Sequence, residues 1–222
     1  MKLTEEQIKE VETYLTKKGV KYIDLRFEIL DHISTDIENS MNKKQLDFNE
    51  TFEKVKENWN EAFSYKWTYW LGISNGDSKL FIDHCLKIYK PLLFKIIVGI
   101  IAFLAIFFGT VMFFKIDLNE HILIIKHVFI SILLSYPMIL IYWRFKLKET
   151  DLESVYSYLY LKQIFPNLYI IPLFIFQIFK STSLSNFSFV YLIVFLSFLI
   201  MAFNFYKNHI KAVSNYKKYQ LK

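Results

Sequence analysis

From Leu92 to Phe114 the chain runs for 23 residues with a single charge, Lys95. At about 1.5 Å per residue this makes a helix of roughly 35 Å, enough to cross a hydrocarbon core of about 30 Å. Lys95 is close enough to one end for its ammonium to snorkel to the headgroups. An unbroken apolar stretch of this length reads as a membrane span, and the rest of the chain has to be read around it.

Three more segments fit the same solvent. Residues 122–143 form a second span, with Lys126 and His127 near one end and Trp143 and Arg144 as an anchor at the other. The third is shorter in its clean part. Ile164 to Phe179 would reach only about 24 Å as a helix, so the span must begin near residue 156, with Pro166 and Pro172 expected to kink it. Residues 187–206 make the fourth span. The overall hydrophobic fraction of 54%, with 23 Phe and 15 Tyr, is heavy for a soluble domain and is concentrated in this half.

The first 66 residues have a different pattern. Thr4 with Gln7 three residues on is a capping box, Ile8, Val11 and Leu15 follow at helical spacing, and Gly19 ends the helix. A second helix from about Tyr22 to Met41 carries Leu25, Ile29, Ile33 and Ile37 in a stripe. Asp47 with Glu50 signals a third, with Phe52, Val55, Trp59 and Phe63 inward. The expected fold is all-α: a small cytoplasmic three-helix domain (1–66), an interfacial aromatic segment and amphipathic linker helix (67–91), a four-helix transmembrane bundle (92–206) and a basic tail (207–222). In the linker, Trp67, Tyr69 and Trp70 suit the membrane-water boundary. Ser78 to Lys90 places Phe81, Ile82, Cys85, Leu86, Ile88 and Tyr89 opposite Lys79, Asp83, Lys87 and Lys90, a split that fits a helix on the membrane surface or beneath the bundle. Pro91 is expected to mark the turn into the first span.

The net charge of +6 points to no nucleic acid, because the positive residues sit at the ends of apolar segments rather than on one soluble face. Arg144, Lys146, Lys148 and Lys162 flank the joint between spans two and three, and Lys207, Lys211, Lys217, Lys218 and Lys222 lie in the tail. The other joints carry Lys115 and Lys126, and Lys180. The bias predicts a cytoplasmic-membrane protein with both termini in the cytoplasm. Met1 to Glu10 is charged and lacks the apolar core of a signal peptide, in keeping with that orientation.

Candidate chemistry is sparse. Glu28, His32 and Asp36 recur one helical turn apart and could face a metal together, although the same residues suit a solvated helix face and no HExxH accompanies them. Arg26 falls within the apolar stripe of its helix and is expected to reach a carboxylate of a neighbouring helix or to lie under an aromatic ring. Asp83, His84 and Cys85 are adjacent, but neighbours on a helix point apart, so a Cys-His nucleophilic pair is not expected. Cys85 reads as a small buried hydrophobe. Gln177 and Asn204 read as interhelical hydrogen-bonding groups, and His121 and His127 as the titratable groups an intramembrane enzyme would need. No catalytic motif and no cofactor site is read from the chain.

The segments LTEEQIKEVETYL, VKYIDLRFEILDHISTDIE and FNETFEKVKENWNEAF, between Thr4 and Phe63, resemble the helical prefix domains of the HAAS type. The likeness covers less than a third of the chain and rests on helix order and on Leu25, Arg26, Glu28, Asp31 and His32. Where many such domains have a Gly-Pro or Gly-Asp turn in the third helix, this chain has Asn58, Trp59 and Asn60. The resemblance implies a bacterial, signalling-associated membrane protein with no catalytic residues in this region, and a PadR-type transcriptional regulator as a partner for residues 1–66. The expected function is non-enzymatic: partner docking by the helical domain, with membrane lipids around the spans. The alternative is a transporter or lipid-handling subunit.

Overall fold

The computed structural model describes residues 2–44, 47–71, 76–115, 122–180 and 186–220, and among these the chain is all-α apart from one small two-stranded sheet. His121 and Lys222 lie outside the described residues, as do the side chains of Gln177 and Lys180. The chain divides into two compact units. The first is Met1–Lys87 with Leu152–Val155 and His209–Lys222; the second is Ile88–Asp151 with Tyr156–Asn208.

The first unit begins with α1 (Glu5–Lys17), capped as its sequence dictates: the Thr4 hydroxyl accepts from the Gln7 N–H, and the Gln7 side chain accepts from the Thr4 N–H. Gly19, at φ +76°, supplies the left-handed residue after the helix. α2 (Ile23–Lys44) and α3 (Phe48–Trp59, with Asp47 as N-cap) complete the three-helix core. Val11, Leu15, Leu25, Ile29, Ile33, Ile37, Phe52 and Val55 are all buried in it. Each large aliphatic side chain removed from water in this way stabilises the unit by about 1.5–3 kcal/mol. Tyr14 meets Phe52 and Phe63 edge-on at 5.8 and 5.9 Å.

Trp67 lies on a strand, β1 (Tyr65–Trp67), paired antiparallel with β2 (Gly76–Ser78); Tyr69 and Trp70 lie on a 3₁₀ turn, Tyr69–Leu71. All three rings are exposed. The chain then enters α4, which runs without interruption from Lys79 to Phe113. Pro91 therefore does not mark a turn, contrary to its reading from sequence. A proline inside a helix removes one backbone hydrogen bond, and here the helix continues through that loss. The early turns of α4 bury Phe81, Ile82 and Cys85, and Tyr22 of α2 stacks on Phe81 at 4.5 Å with the planes 12° apart. The apolar face of this amphipathic segment is thus packed on protein.

The second unit contains the apolar part of α4, most of α5 (Ile122–Lys148), a broken third segment, and the apolar part of α8 (Asn186–Gln220). The third segment is α6 (Val155–Leu159), a π-helical turn (Tyr160–Ile164), a 3₁₀ turn (Phe165–Tyr169) and α7 (Ile171–Lys180). The irregularity falls where Pro166 and Pro172 each remove an N–H from the helical ladder. The Tyr160 hydroxyl donates to the Leu140 carbonyl at 2.5 Å, and Tyr136 and Phe174 both meet Phe195 edge-on. Trp143 is half-buried, stacked on Tyr206 at 5.7 Å, and the Arg144 guanidinium sits 4.3 Å from the centre of the Phe165 ring. Asn204 accepts from Asn208 within α8, so its amide oxygen is paired inside one helix rather than between two.

Among the described residues, four helical segments are long and apolar enough to cross a membrane: those within Lys79–Phe113, Leu123–Lys148, Val155–Phe176 and Val190–Gln220. This is the composition of a multi-pass membrane protein. With 35 residues each, α4 and α8 would measure about 52 Å, well beyond the bilayer core, and both helices pass from one unit into the other. The tail expected after residue 206 is accordingly helical through Gln220.

Candidate docking groove and clasp

Among the described residues Arg26 has neither of the partners its position on the wheel predicts. Its guanidinium donates to the Glu12 carbonyl at 2.9 Å, the Thr16 hydroxyl at 3.0 Å and the Val20 carbonyl at 3.3 Å. These acceptors belong to the last turns of α1 and the loop after it, where the helix dipole favours a cation. Arg26→Ala is expected to destabilise the first unit by about 1–3 kcal/mol, because it removes three charge-assisted hydrogen bonds that tie α2 to the end of α1. Arg26→Lys should recover little, since one ammonium does not reproduce a planar fork spread over three acceptors. Thermal unfolding of the purified protein measures both.

A groove of about 430 Å³ opens in the first unit among α2, the end of α3 and the start of α4. Glu28 and His32 line it, facing Trp59 from one side and Asp83, His84 and Lys87 from another. The His84 Nδ1 lies 3.2 Å from Glu28 Oε2, and the Lys87 ammonium 3.9 Å from Glu28 Oε1. Asp36 accepts a hydrogen bond from Trp59 Nε1 at 3.1 Å, which fixes the indole against the groove wall. Lys66 pairs with Asp83, and Lys79 with Glu61; the lysine beside Glu61 holds that carboxyl below the ordinary range. Glu28 and Asp36 thus have different partners, His84 and Trp59. Among the described residues no three His, Cys, Asp or Glu side chains gather closely enough to hold a metal ion. Asp83, His84 and Cys85 diverge as helix geometry requires, to Lys66, to Glu28 and into the core. His127 is exposed, its Nδ1 2.7 Å from the Leu123 carbonyl of its own helix.

The second feature of this unit was not singled out in the sequence. Residues 152–155, which follow Asp151 in its left-handed conformation at φ +52°, are held by α2. The Ile23 N–H donates to the Glu153 carbonyl, Lys21 pairs with Glu153 at 2.9 Å, and both Asp24 oxygens accept from the Val155 N–H, at 2.9 and 3.2 Å. The last turns of α8 join the same unit. His209 is fully buried with its Nδ1 2.9 Å from the Ser154 hydroxyl, and Phe27 packs against Tyr216 and Tyr219 at 5.5 and 4.8 Å. α2 therefore clasps two chain segments that are remote from it in sequence.

Burial pushes the Asp24 carboxyl up from its ordinary value, against the opposing hydrogen bonds from Val155 and Leu25 and the charge of His84. A raised folded pKa means that the ionised form is disfavoured in the fold. The associated stability is complete below the ordinary carboxylate value and is lost as pH rises through the raised one. The difference in unfolding free energy between the wild type and Asp24→Asn is expected to change across that window and to be flat above it. A pH series of thermal midpoints for both proteins measures this.

Compared with known proteins, the chain matches no family model, no curated protein and no solved structure.

Proposed function

We propose that this chain is a non-enzymatic regulatory protein of the cytoplasmic membrane whose first helical unit docks a protein partner through the groove between α2, α3 and α4. The observation that carries this reading is the groove wall: an indole fixed by Asp36, beside the Glu28–His84 contact and a rim of mixed charge. Held aromatic side chains flanked by charged groups are what a docked protein uses as anchors, while the charges select the partner. The resemblance of residues 4–63 to prefix domains makes a PadR-type regulator the first partner to test. The clasp supports a signalling role, since a partner bound to α2 touches the element that also holds residues 152–155 and the end of α8. The distribution of Lys and Arg supports a cytoplasmic position for both termini.

The transporter reading has less support, because the His127 ring and the Asn204 amide oxygen, two polar groups within the spans, have hydrogen-bond partners on their own helices.

A photocrosslinker at Asn58, in native membranes, is expected to capture a discrete protein, and Trp59→Ala is expected to weaken that capture by roughly thirtyfold, the scale of a hot-spot anchor. The same crosslinker at Glu10, away from the groove, serves as control. Equal capture at both positions, or capture indifferent to Trp59→Ala, would remove the reading.

A further inference from the structure

We propose that the cleft between α4 and α8 in the second unit is a seat for one anionic glycerophospholipid of the bilayer, with an acyl chain lying along the cleft and the headgroup phosphate at Lys95. This site is separate from the docking groove and does not depend on it.

The cleft has a volume of about 480 Å³, within the range of roughly 300–1,000 Å³ that small-molecule sites occupy. Gly99 and Phe103 line it from α4, and Leu196, Ser197 and Ile200 from α8. Its α4 wall extends from Leu92 to Phe103, about 17 Å at helical rise, which suits an extended acyl chain. The Ser197 hydroxyl is committed to the Ile193 carbonyl at 2.8 Å, so even the polar residue on the wall turns no free donor to the cleft. Water has almost nothing to bond there, whereas an acyl chain loses nothing by entering. The cleft exists because α4 stands apart. None of the most apolar 18-residue stretch of α4 is buried, against 22% of the corresponding stretch in each of the other three spans.

Lys95 supplies the selectivity. It lies on the same wall, one turn inside the end marked by Leu92, at the depth from which a lysine snorkels to the phosphates. The protein brings it no counter-ion along these helices: there is no Asp or Glu between Asp83 and Asp117, and none anywhere in α8. The negative charge that a lysine at the edge of hydrocarbon requires must come from outside the two walls, and an anionic headgroup provides it. A second copy of the chain meets this need poorly. A twofold pairing through Gly99 would bring two Lys95 side chains towards each other with no acid between them.

The test uses the full chain, purified, delipidated and titrated by native mass spectrometry with phosphatidylglycerol or phosphatidylcholine. The wild type is expected to bind one phosphatidylglycerol, roughly fivefold more tightly than phosphatidylcholine, the preference one lysine near a headgroup supplies. Lys95→Gln should bind the two lipids equally. Gly99→Leu should bind neither at this site; a Cβ at Gly99 meets nothing within 4 Å, so the new side chain enters the cleft without displacing backbone. Lys95→Gln keeps an aliphatic stem on the wall while removing the charge, and reports on the headgroup even if Gly99→Leu unfolds. Equal affinity of the wild type for both lipids, a preference that survives Lys95→Gln, or lipid binding retained by a folded Gly99→Leu would each overturn the proposal. A two-chain mass that Gly99→Leu returns to one chain would also overturn it, in favour of a second copy as the occupant.

Discussion

Replacing His209 by aspartate is expected to release the last turns of α8 from the first unit. The imidazole has no solvent exposure and its Nδ1 lies 2.9 Å from the Ser154 hydroxyl. A carboxylate there would be a charge buried where the wild type buries an imidazole, at a cost of about 3 kcal/mol or more. His209→Gln, whose amide retains hydrogen-bonding capacity at a similar reach, should cost less than half of that. Trypsin offers a direct measurement, since Lys207, Lys211, Lys217 and Lys218 surround the site and are protected only while the segment stays helical and docked. In membranes, His209→Asp should be cut in this segment many times faster than the wild type, and His209→Gln at close to the wild-type rate. If His209→Asp proved as resistant as the wild type, the clasp would not hold the end of α8.

Why the clasp was illegible while α1 was plain follows from the range over which each is determined. The capping box of Thr4 and Gln7 and the stop at Gly19 are settled by neighbours within a few residues, so they can be read directly from the sequence. The inward stripe of α2 is equally local. Asp24, by contrast, is defined by the Val155 N–H, a partner 131 residues away. No periodicity announces such a contact. His209 did leave a trace: Met201, Phe205, His209 and Val213 recur every four residues and all are buried, so the imidazole stands in an apolar stripe. The basic residues around it masked that stripe and made the segment look like a solvated tail.

Arg26 shows the converse. Its place in the apolar stripe was evident and the need for a partner followed, but the partner turned out to be backbone. Every residue carries a backbone carbonyl, so no residue type marks those of Glu12 and Val20 as the acceptors. The groove has the same character. Glu28 and His32 were visible as a pair one turn apart, yet it is the start of α4, ahead of Pro91, that brings His84 to Glu28. In the third span the prolines gave the place of the irregularity, while its form, a π turn followed by a 3₁₀ turn, depends on how Tyr160 and Ile164 are buried.

Ile101→Asp is expected to prevent the first span from integrating. Ile101 lies near the middle of the Leu92–Phe114 stretch and is 62% exposed, so in a bilayer it faces hydrocarbon. A buried position in the bundle could offer an introduced carboxylate a donor, but none of the most apolar part of α4 is buried and that option is missing. At the centre of a span, exchanging an aliphatic residue for aspartate costs about 3–4 kcal/mol on an insertion scale, a shift of more than a hundredfold in the insertion equilibrium. Ile101→Ser, which removes the same apolar side chain without adding charge, should integrate normally. Alkaline extraction of membranes, combined with cysteine-labelling of Lys115→Cys from the far side, separates the outcomes. The aspartate variant should leave position 115 on the same side as residues 1–66, whereas the serine variant should carry it across. Normal crossing by Ile101→Asp would mean that α4 finds a polar partner inside the membrane, and the apolar cleft beside it would then be the first place to look for that partner.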